Sequence, residues 1–322
     1  MSWKYTYGPV PSRRLGKSLG VSVIPPKVCT YNCVYCQLGR TTRQQTRRES
    51  FFPRQAVLDE IGEHLQNTHA DYISFVGDGE PTLSSDLGWL ISQCKSRWNT
   101  PVAVVTNGSL LADAEVRQDL ESADVVLPSL DAGNAETYRR VDRPCRSLQY
   151  KEVVEGLRLF ADRFPGKLWL EVMLVGGVND SPAEVEDIRD RLAEIRPDRV
   201  YVMIPTRPPR ARWVKPPPVD RILEAQKILG EVTTLLDPES GLVDLEGYGD
   251  VAQAIADIGS RHPISSVQAR QIELNFGDTG RVDQLVQAGI LEYVDYGGER
   301  YVLPPGFITA KMPRTHRRQS GV

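Results

Sequence analysis

Cys29-Thr-Tyr-Asn-Cys33-Val-Tyr-Cys36 follows directly on the apolar, β-branched run Leu19–Val28. A run of that composition and length reads as a buried strand. The three thiols therefore fall on one loop at a strand's C-terminal end. In open α/β sheets and βα barrels, that is the end at which active sites assemble.

Outward from this loop the chain keeps alternating. Strand patterns at Tyr72–Val76, Val102–Thr106, Val125–Leu130, Leu168–Val175 and Val200–Ile204 are separated by amphipathic stretches at 54–66, 85–97, 112–122, 148–163 and 182–195. A last amphipathic stretch covers 219–235, and Ser181-Pro182 supplies a helix start with proline at its first position. Connections this short imply parallel strands and right-handed crossovers. Six such units make either a partial βα barrel or a doubly wound sheet, and periodicity does not choose between them.

The composition changes at Thr206, where a Pro- and Arg-rich loop begins. Near Glu246 a second unit starts, with helix patterns at Asp250–Arg261, Ser265–Asn275 and Thr279–Ala288. Gly289 stops the third, and strands at Ile290–Val294 and Arg300–Leu303 flank a Gly-Gly turn. Three helices and a hairpin follow the plan of a winged helix. The expected division is an N-terminal extension (1–18), a core (19–235), a winged-helix-like domain (246–307) and a basic tail (308–322).

The chain has 322 residues and five cysteines, three of them in the one loop. Such a clustered, odd set suggests ligands in a reducing compartment, not a disulfide framework. No apolar run reaches the ~18 residues of a membrane span, and the first residues show no secretory pattern. A cytoplasmic protein is the expectation. Thiolates suit zinc, copper or iron–sulfur centres. A structural zinc normally closes with four protein ligands, so a zinc here would have to borrow a distant one. A 4Fe–4S cluster held by three cysteines instead leaves one iron open to a chelating ligand.

CxxxCxxC with an aromatic, Tyr35, before the third cysteine resembles the signature of the radical S-adenosylmethionine (SAM) superfamily. The resemblance implies a 4Fe–4S cluster on Cys29, Cys33 and Cys36 whose open iron takes the amino and carboxylate groups of SAM. Reductive cleavage then gives methionine and a 5′-deoxyadenosyl radical that abstracts hydrogen from a substrate. Downstream, Gly77-Asp-Gly79-Glu80-Pro81 is similar to the family's GGEP motif, with Glu80 as charge complement to the SAM ammonium. Asn107 and Ser129, at the next two strand ends, match places where polar side chains reach SAM, and Gly176 matches the adenine-facing strand. Asp131 is a weaker candidate of the same kind. The resemblance covers residues 19 to about 235 and implies the partial (βα)6 barrel. It also implies an electron donor of the flavodoxin or ferredoxin type.

Within that superfamily, the Tyr7–Gly20 stretch and Cys36-Gln-Leu-Gly39 resemble the group related to the wyosine-forming tRNA-modification enzymes. Those enzymes hold a second cluster through earlier cysteines, and here no cysteine precedes Cys29.

Charge is uneven. Residues 1–60 carry ten Lys/Arg against three Asp/Glu, and residues 231–307 carry four Arg against thirteen Asp/Glu. Arg40, Arg43, Arg47 and Arg48 follow the thiol loop, while Arg207, Arg210, Arg212 and Lys215 follow the sixth strand. Both segments leave strand C-termini, so both are expected to rim one mouth that favours an anion such as RNA. The acidic C-terminal unit opposes duplex DNA, because a DNA-reading winged helix presents Lys and Arg. Two substrate classes stay open: RNA or another anion, and a protein or peptide docked on the acidic unit. A redox-sensing transcription regulator would need a basic recognition helix and has no use for Gly77–Pro81.

Overall fold

The computed structural model describes residues 3–209, 211–236, 244–245, 247–261 and 263–305. Arg210, Glu246 and the basic tail (308–322) lie outside the described residues. The chain opens with β1 (Thr6–Ser12) and β2 (Gly16–Val21), then the short parallel pair β3 (Val28–Cys29) and β4 (Arg43–Gln44). Alternation follows: α1 (Arg54–Asn67), β5 (Tyr72–Phe75), α2 (Leu87–Arg97), β6 (Val102–Thr106), α3 (Ala114–Leu120) and β7 (Val125–Pro128). Next come α4 (Ala135–Val141), α5 (Tyr150–Ala161), β8 (Lys167–Met173), α6 (Pro182–Ile195), β9 (Arg199–Met203), α7 (Val219–Leu229) and β10 (Thr233–Leu235). The C-terminal part holds α8 (Val251–Arg261), β11 (Ile264–Ser265), α9 (Ser266–Phe276), α10 (Arg281–Gln287), β12 (Glu292–Tyr296) and β13 (Glu299–Leu303).

The main sheet has the order β1-β2-β5-β6-β7-β8-β9-β10. All neighbours are parallel except β1, which is antiparallel to β2. Side-chain alternation sorts its two faces. Along β8, Leu168, Leu170 and Val172 turn into the helical layer and are buried with Leu19, Phe75, Val104 and Val126. Trp169, Glu171 and Met173 turn the other way, and Trp169 packs with Ala103, Val125, Leu127 and Tyr201. Val10 of β1, Ser18 of β2 and Met203 of β9 line one cavity. The two ends of the core therefore face each other across a lumen, and the sheet is curled into a partial barrel. Helices close its outside. In α5, Val153, Val154, Leu157 and Phe160 form one buried stripe, each side chain contributing on the order of 1.5–3 kcal/mol on burial.

Several expectations shift for local reasons. The run Leu19–Val28 divides, because Pro25 and Pro26 have no N–H for a ladder, so β2 stops at Val21 and β3 is separate. The helix expected over 219–235 ends at Leu229, where Gly230 takes φ 78°. The chain then returns as β10, parallel to β9. Between β7 and α5 the structure adds α4, capped by Asn134, whose side chain accepts from the N–H groups of Glu136 and Thr137. The segment expected as an N-terminal extension contributes β1 to the sheet. After β1, the turn Arg13-Arg14-Leu15 folds into the barrel from the strands' N-terminal side. Leu15 joins the Trp169 cluster, and Arg14 forms an ion pair with Glu171 inside the lumen.

In the C-terminal part, β11, β13 and β12 form a small sheet in that order. Its core of Val251, Ile255, Ile258, Ile272, Leu285 and Val302 continues onto Trp3, Tyr7 and Val10. Two hydroxyls of the hairpin reach the barrel: Tyr296 donates to the Pro205 carbonyl at 3.0 Å, and Tyr301 to the Thr206 carbonyl at 2.9 Å.

Candidate active site

The thiol loop is held from two sides. The N–H of Gln45 donates to the Cys29 carbonyl (3.1 Å), and the Gln44 side chain donates to the carbonyls of Thr30 (3.1 Å) and Arg143 (2.7 Å). From the other side, Asn32 and Val34 N–H groups meet the carbonyls of Asp142 and Val141 (both 2.9 Å), and Cys145 N–H meets that of Thr30 (2.8 Å). Val34 is fully buried while Cys29, Cys33 and Cys36 are half-buried. The loop thus turns an apolar anchor inward and leaves its thiols presented.

The donor set fits an iron–sulfur cluster. The Sγ of Cys29 accepts from Tyr31 N–H (3.4 Å) and Asn107 Nδ2 (3.6 Å), contacts that favour a thiolate. Burial, together with the Glu80 charge, pushes the free Cys29 thiol up to about 12, and burial beside Asp142 likewise raises that of Cys33. A cationic centre is what takes such protons away. Among the described residues no three His, Cys, Asp or Glu side chains close around a single ion. A cuboidal cluster binds its thiolates at separate iron corners and does not need that convergence. Cys94 lies in the sheet–helix core, and Cys145 meets the loop through its backbone.

A cavity of about 300 Å³ opens beside the loop. Cys33, Tyr35 and Cys36 line it together with Gly77, Ser129 and Asp131. These expected residues meet in one space. Tyr35 donates a short hydrogen bond to Asp131, whose other oxygen accepts the Met173 N–H at 2.8 Å. Asp131 is thus committed to holding the ring of Tyr35 and β8, and burial pushes its carboxyl up to about 6. Gly77 takes φ 125°, a conformation in which only glycine is unstrained.

The other expected residues stand behind this lining. Glu80 is buried, and its Oε1 accepts from Thr82 N–H (3.0 Å), Thr82 Oγ1 (2.6 Å) and Thr106 Oγ1 (2.5 Å). Its Oε2 accepts from Asn107 N–H at 2.7 Å. Burial raises its pKa and these hydrogen bonds oppose the rise. Four donors thus occupy the carboxylate expected to face an ammonium, which makes it a brace between two strand-end loops. The Asn107 amide donates to Cys29 Sγ and to Thr30 Oγ1 (2.7 Å), so it faces the thiol loop. At Gly79 a Cβ would sit 1.8 Å from the Val28 carbonyl, and at Gly176 2.7 Å from that of Pro216. Both glycines permit backbone stacking against a neighbouring loop.

Sequence reasoning missed Arg14, Glu171 and Gln37, which also line the cavity. Glu171 had a signal, since it is a lone charge in the otherwise apolar strand Leu168–Met173. The arginine-rich segments do not share one mouth. Arg207 lines the cavity and donates to Gln37 at 3.2 Å. Arg48 instead is tied to Asp119 and to the carbonyls of Thr82 (3.0 Å) and Ser84 (3.2 Å). Arg43 pairs with Glu49 at 2.5 Å, and none of Arg40, Arg43, Arg47 or Arg48 lines the cavity.

Known proteins share this plan. The chain is 35% identical over 307 residues to a UPF0026 protein of Methanocaldococcus jannaschii, covering 92% of this chain and 95% of that one. A 45% identical match over 205 residues to a protein named GTPase Obg, from Brachyspira hyodysenteriae, covers 63% of this chain and 30% of that protein. A solved radical SAM methyltransferase from Sphaerobacter thermophilus superposes with a TM-score of 0.52 at 18% identity, covering 68% of this chain and 65% of that one. That likeness carries the fold. A family model for the radical SAM superfamily matches residues 23–192, from just ahead of the thiol loop into α6. On that match the chain belongs to the radical SAM superfamily, whose enzymes work with a 4Fe–4S cluster and SAM.

Proposed function

We propose that this enzyme binds its cluster through Cys29, Cys33 and Cys36 and uses SAM-derived radical chemistry on an anionic substrate, with RNA modification favoured. The observation that carries the reading is the shared cavity of Cys33, Cys36, Tyr35, Gly77 and Ser129. When bound, the cluster supplies the electron for reductive cleavage of SAM to the radical that takes hydrogen from a substrate. Tyr35, fixed by Asp131, and Ser129 form walls for SAM, and Gly77 leaves room for it against the backbone. Asn107 orients Cys29, while Glu80, Gly79 and Gly176 hold the strand-end loops in register. SAM and substrate filling the lumen would displace water from a reactive radical.

An anion is favoured by Arg13 and Arg207 along the cavity, where Arg14 is already paired with Glu171, and, for RNA, by the resemblance to the wyosine-forming group. The electron donor is of the flavodoxin or ferredoxin type, and five cysteines without a disulfide suit the cytoplasm. No described helix is long and apolar enough to cross a membrane. A second reading, a protein or peptide substrate, has its own observation. The winged-helix-like acidic unit carries a groove of about 830 Å³ with exposed Val267 and Leu274 on it, which would dock a polypeptide and not duplex DNA.

Anaerobic reconstitution followed by dithionite and SAM tests the chemistry: 5′-deoxyadenosine should be released, and zinc loading with no cleavage overturns it. Titration with total cellular RNA at several salt concentrations tests the substrate. Binding that weakens with salt and flattens in Arg207→Gln supports RNA. No binding at low salt turns the assignment to protein.

A further inference from the structure

The outer side of the thiol loop is covered by two short segments, 40–47 and 139–146. Together they contain seven arginines and one acidic residue, Asp142. Asp142 does not balance them, because it is buried and accepts from Cys33 Sγ at 3.7 Å. Arg43 is paired with Glu49. Among the described residues, Arg40, Arg47, Arg139, Arg140, Arg143 and Arg146 form no ion pair. Arginines elsewhere commonly do, as in Arg158 with Glu155, Arg191 with Glu194 and Arg221 with Glu224. Gln44 joins the two segments by bonding both Thr30 and Arg143 carbonyls, so the segments lie side by side, with Arg40, Arg47, Arg139, Arg140 and Arg146 exposed. Their links to the ligand loop are short. Gln45 bonds the Cys29 carbonyl two residues from Arg47, and Cys145 bonds the Thr30 carbonyl beside Arg146. None of these arginines lines the substrate cavity.

We propose that this arginine surface docks an acidic one-electron donor protein against the outer side of the cluster loop. An unpaired basic field attracts an acidic partner and raises its rate of encounter. Its position on the back of the ligand loop suits electron delivery, whereas chemistry on a substrate belongs to the lumen side. The donor gives up one electron, its anionic flavin hydroquinone becoming the neutral semiquinone. The oxidised 2+ cluster accepts that electron and becomes 1+, and no bond is made or broken. This rests on the assignment of the three cysteines to a 4Fe–4S cluster.

The test uses reconstituted holoenzyme carrying Arg40→Glu, Arg47→Glu and Arg146→Glu together, with Arg281→Glu on α10 as a distant control. Flavodoxin hydroquinone is mixed in a stopped-flow instrument, and cluster bleaching and semiquinone absorbance are followed from low to high salt. Flavodoxin affinity is measured separately by calorimetry on the same proteins. The triple variant should be reduced about tenfold or more slowly at low salt, converge with wild type at high salt and bind flavodoxin more weakly. Dithionite reduction and the Arg281 control should match wild type. A wild-type flavodoxin rate in the triple variant overturns the proposal. So does equal slowing with dithionite, which would place the defect in the cluster, or loss of RNA binding with donor reduction intact, which would make the surface a nucleic-acid site. If wild type holds no reducible cluster, the cluster assignment itself fails, and the dithionite control shows this separately.

Discussion

Glu80 Oε2 accepts the backbone N–H of Asn107 at 2.7 Å, joining the loop after β5 to the loop after β6. Because Asn107 in turn reaches Cys29 Sγ, one buried carboxylate bears on the position of Cys29 two loops away. Glu80→Gln keeps the size but puts an amide donor where only donors point. The expected loss is about 1.5–3 kcal/mol, the contribution of a hydrogen bond to a charged group, read by urea unfolding under anaerobic conditions. SAM affinity of the clustered protein should fall with it, by roughly tenfold per 1.4 kcal/mol transmitted to the site. Reduced stability with unchanged affinity would limit Glu80 to folding.

The cysteines divide cleanly by environment. Cys33→Ala should lose the cluster, whose normal content is about four iron per chain, and all 5′-deoxyadenosine release. Cys94→Ala, on the buried face of α2, should keep both and lose only packing stability. Iron and sulfide assays distinguish these outcomes, and cluster loss in Cys94→Ala would contradict the three-ligand set.

Gly79 tests the stacking of loops directly. With a Cβ position 1.8 Å from the Val28 carbonyl, Gly79→Ala must displace the residue before Cys29. Overpacking of this kind costs roughly 1–3 kcal/mol. The variant should unfold at lower urea and release iron faster on exposure to a chelator. Wild-type iron retention would show that the two loops move independently.

His64 supplies the pH dependence. Its ring is buried, stacks on Trp3 with centroids 4.2 Å apart, and bonds Thr6 Oγ1 and the Gly8 carbonyl, both at 2.9 Å. Burial lowers its pKa below the ordinary 6.5. Below that value the unfolded chain binds a proton that the folded one refuses, so acidification favours unfolding. Stability should therefore be present above pH 6.5 and decline as the pH falls from there. Unfolding curves of wild type and His64→Gln should converge in slope only if another group governs that window.

The core and much of the site were legible because their determinants are local. Cys29–Cys36, Gly77–Pro81 and Thr106–Asn107 each lie within a few residues, and strand alternation fixes which end they occupy. The Arg14–Glu171 pair was hidden because its partners belong to the first turn and the fifth core strand, joined only when the sheet curls. The Arg40–Arg48 segment misled for a different reason. Position after the thiol loop suggested the mouth, but β4 pairs with β3 and none of Arg40, Arg43, Arg47 or Arg48 lines the cavity. Glu80 was expected to face an ammonium, and its actual partners were hidden because the hydroxyls and amides that occupy it are ordinary turn residues in sequence. The short helix α4 has too few turns to show a period.

Leu15 packs with Trp169 and Tyr201 at the strands' N-terminal side of the barrel, so the first turn of the chain acts there as a stopper in the lumen. A ligand seated against that stopper would have to leave by the way it came.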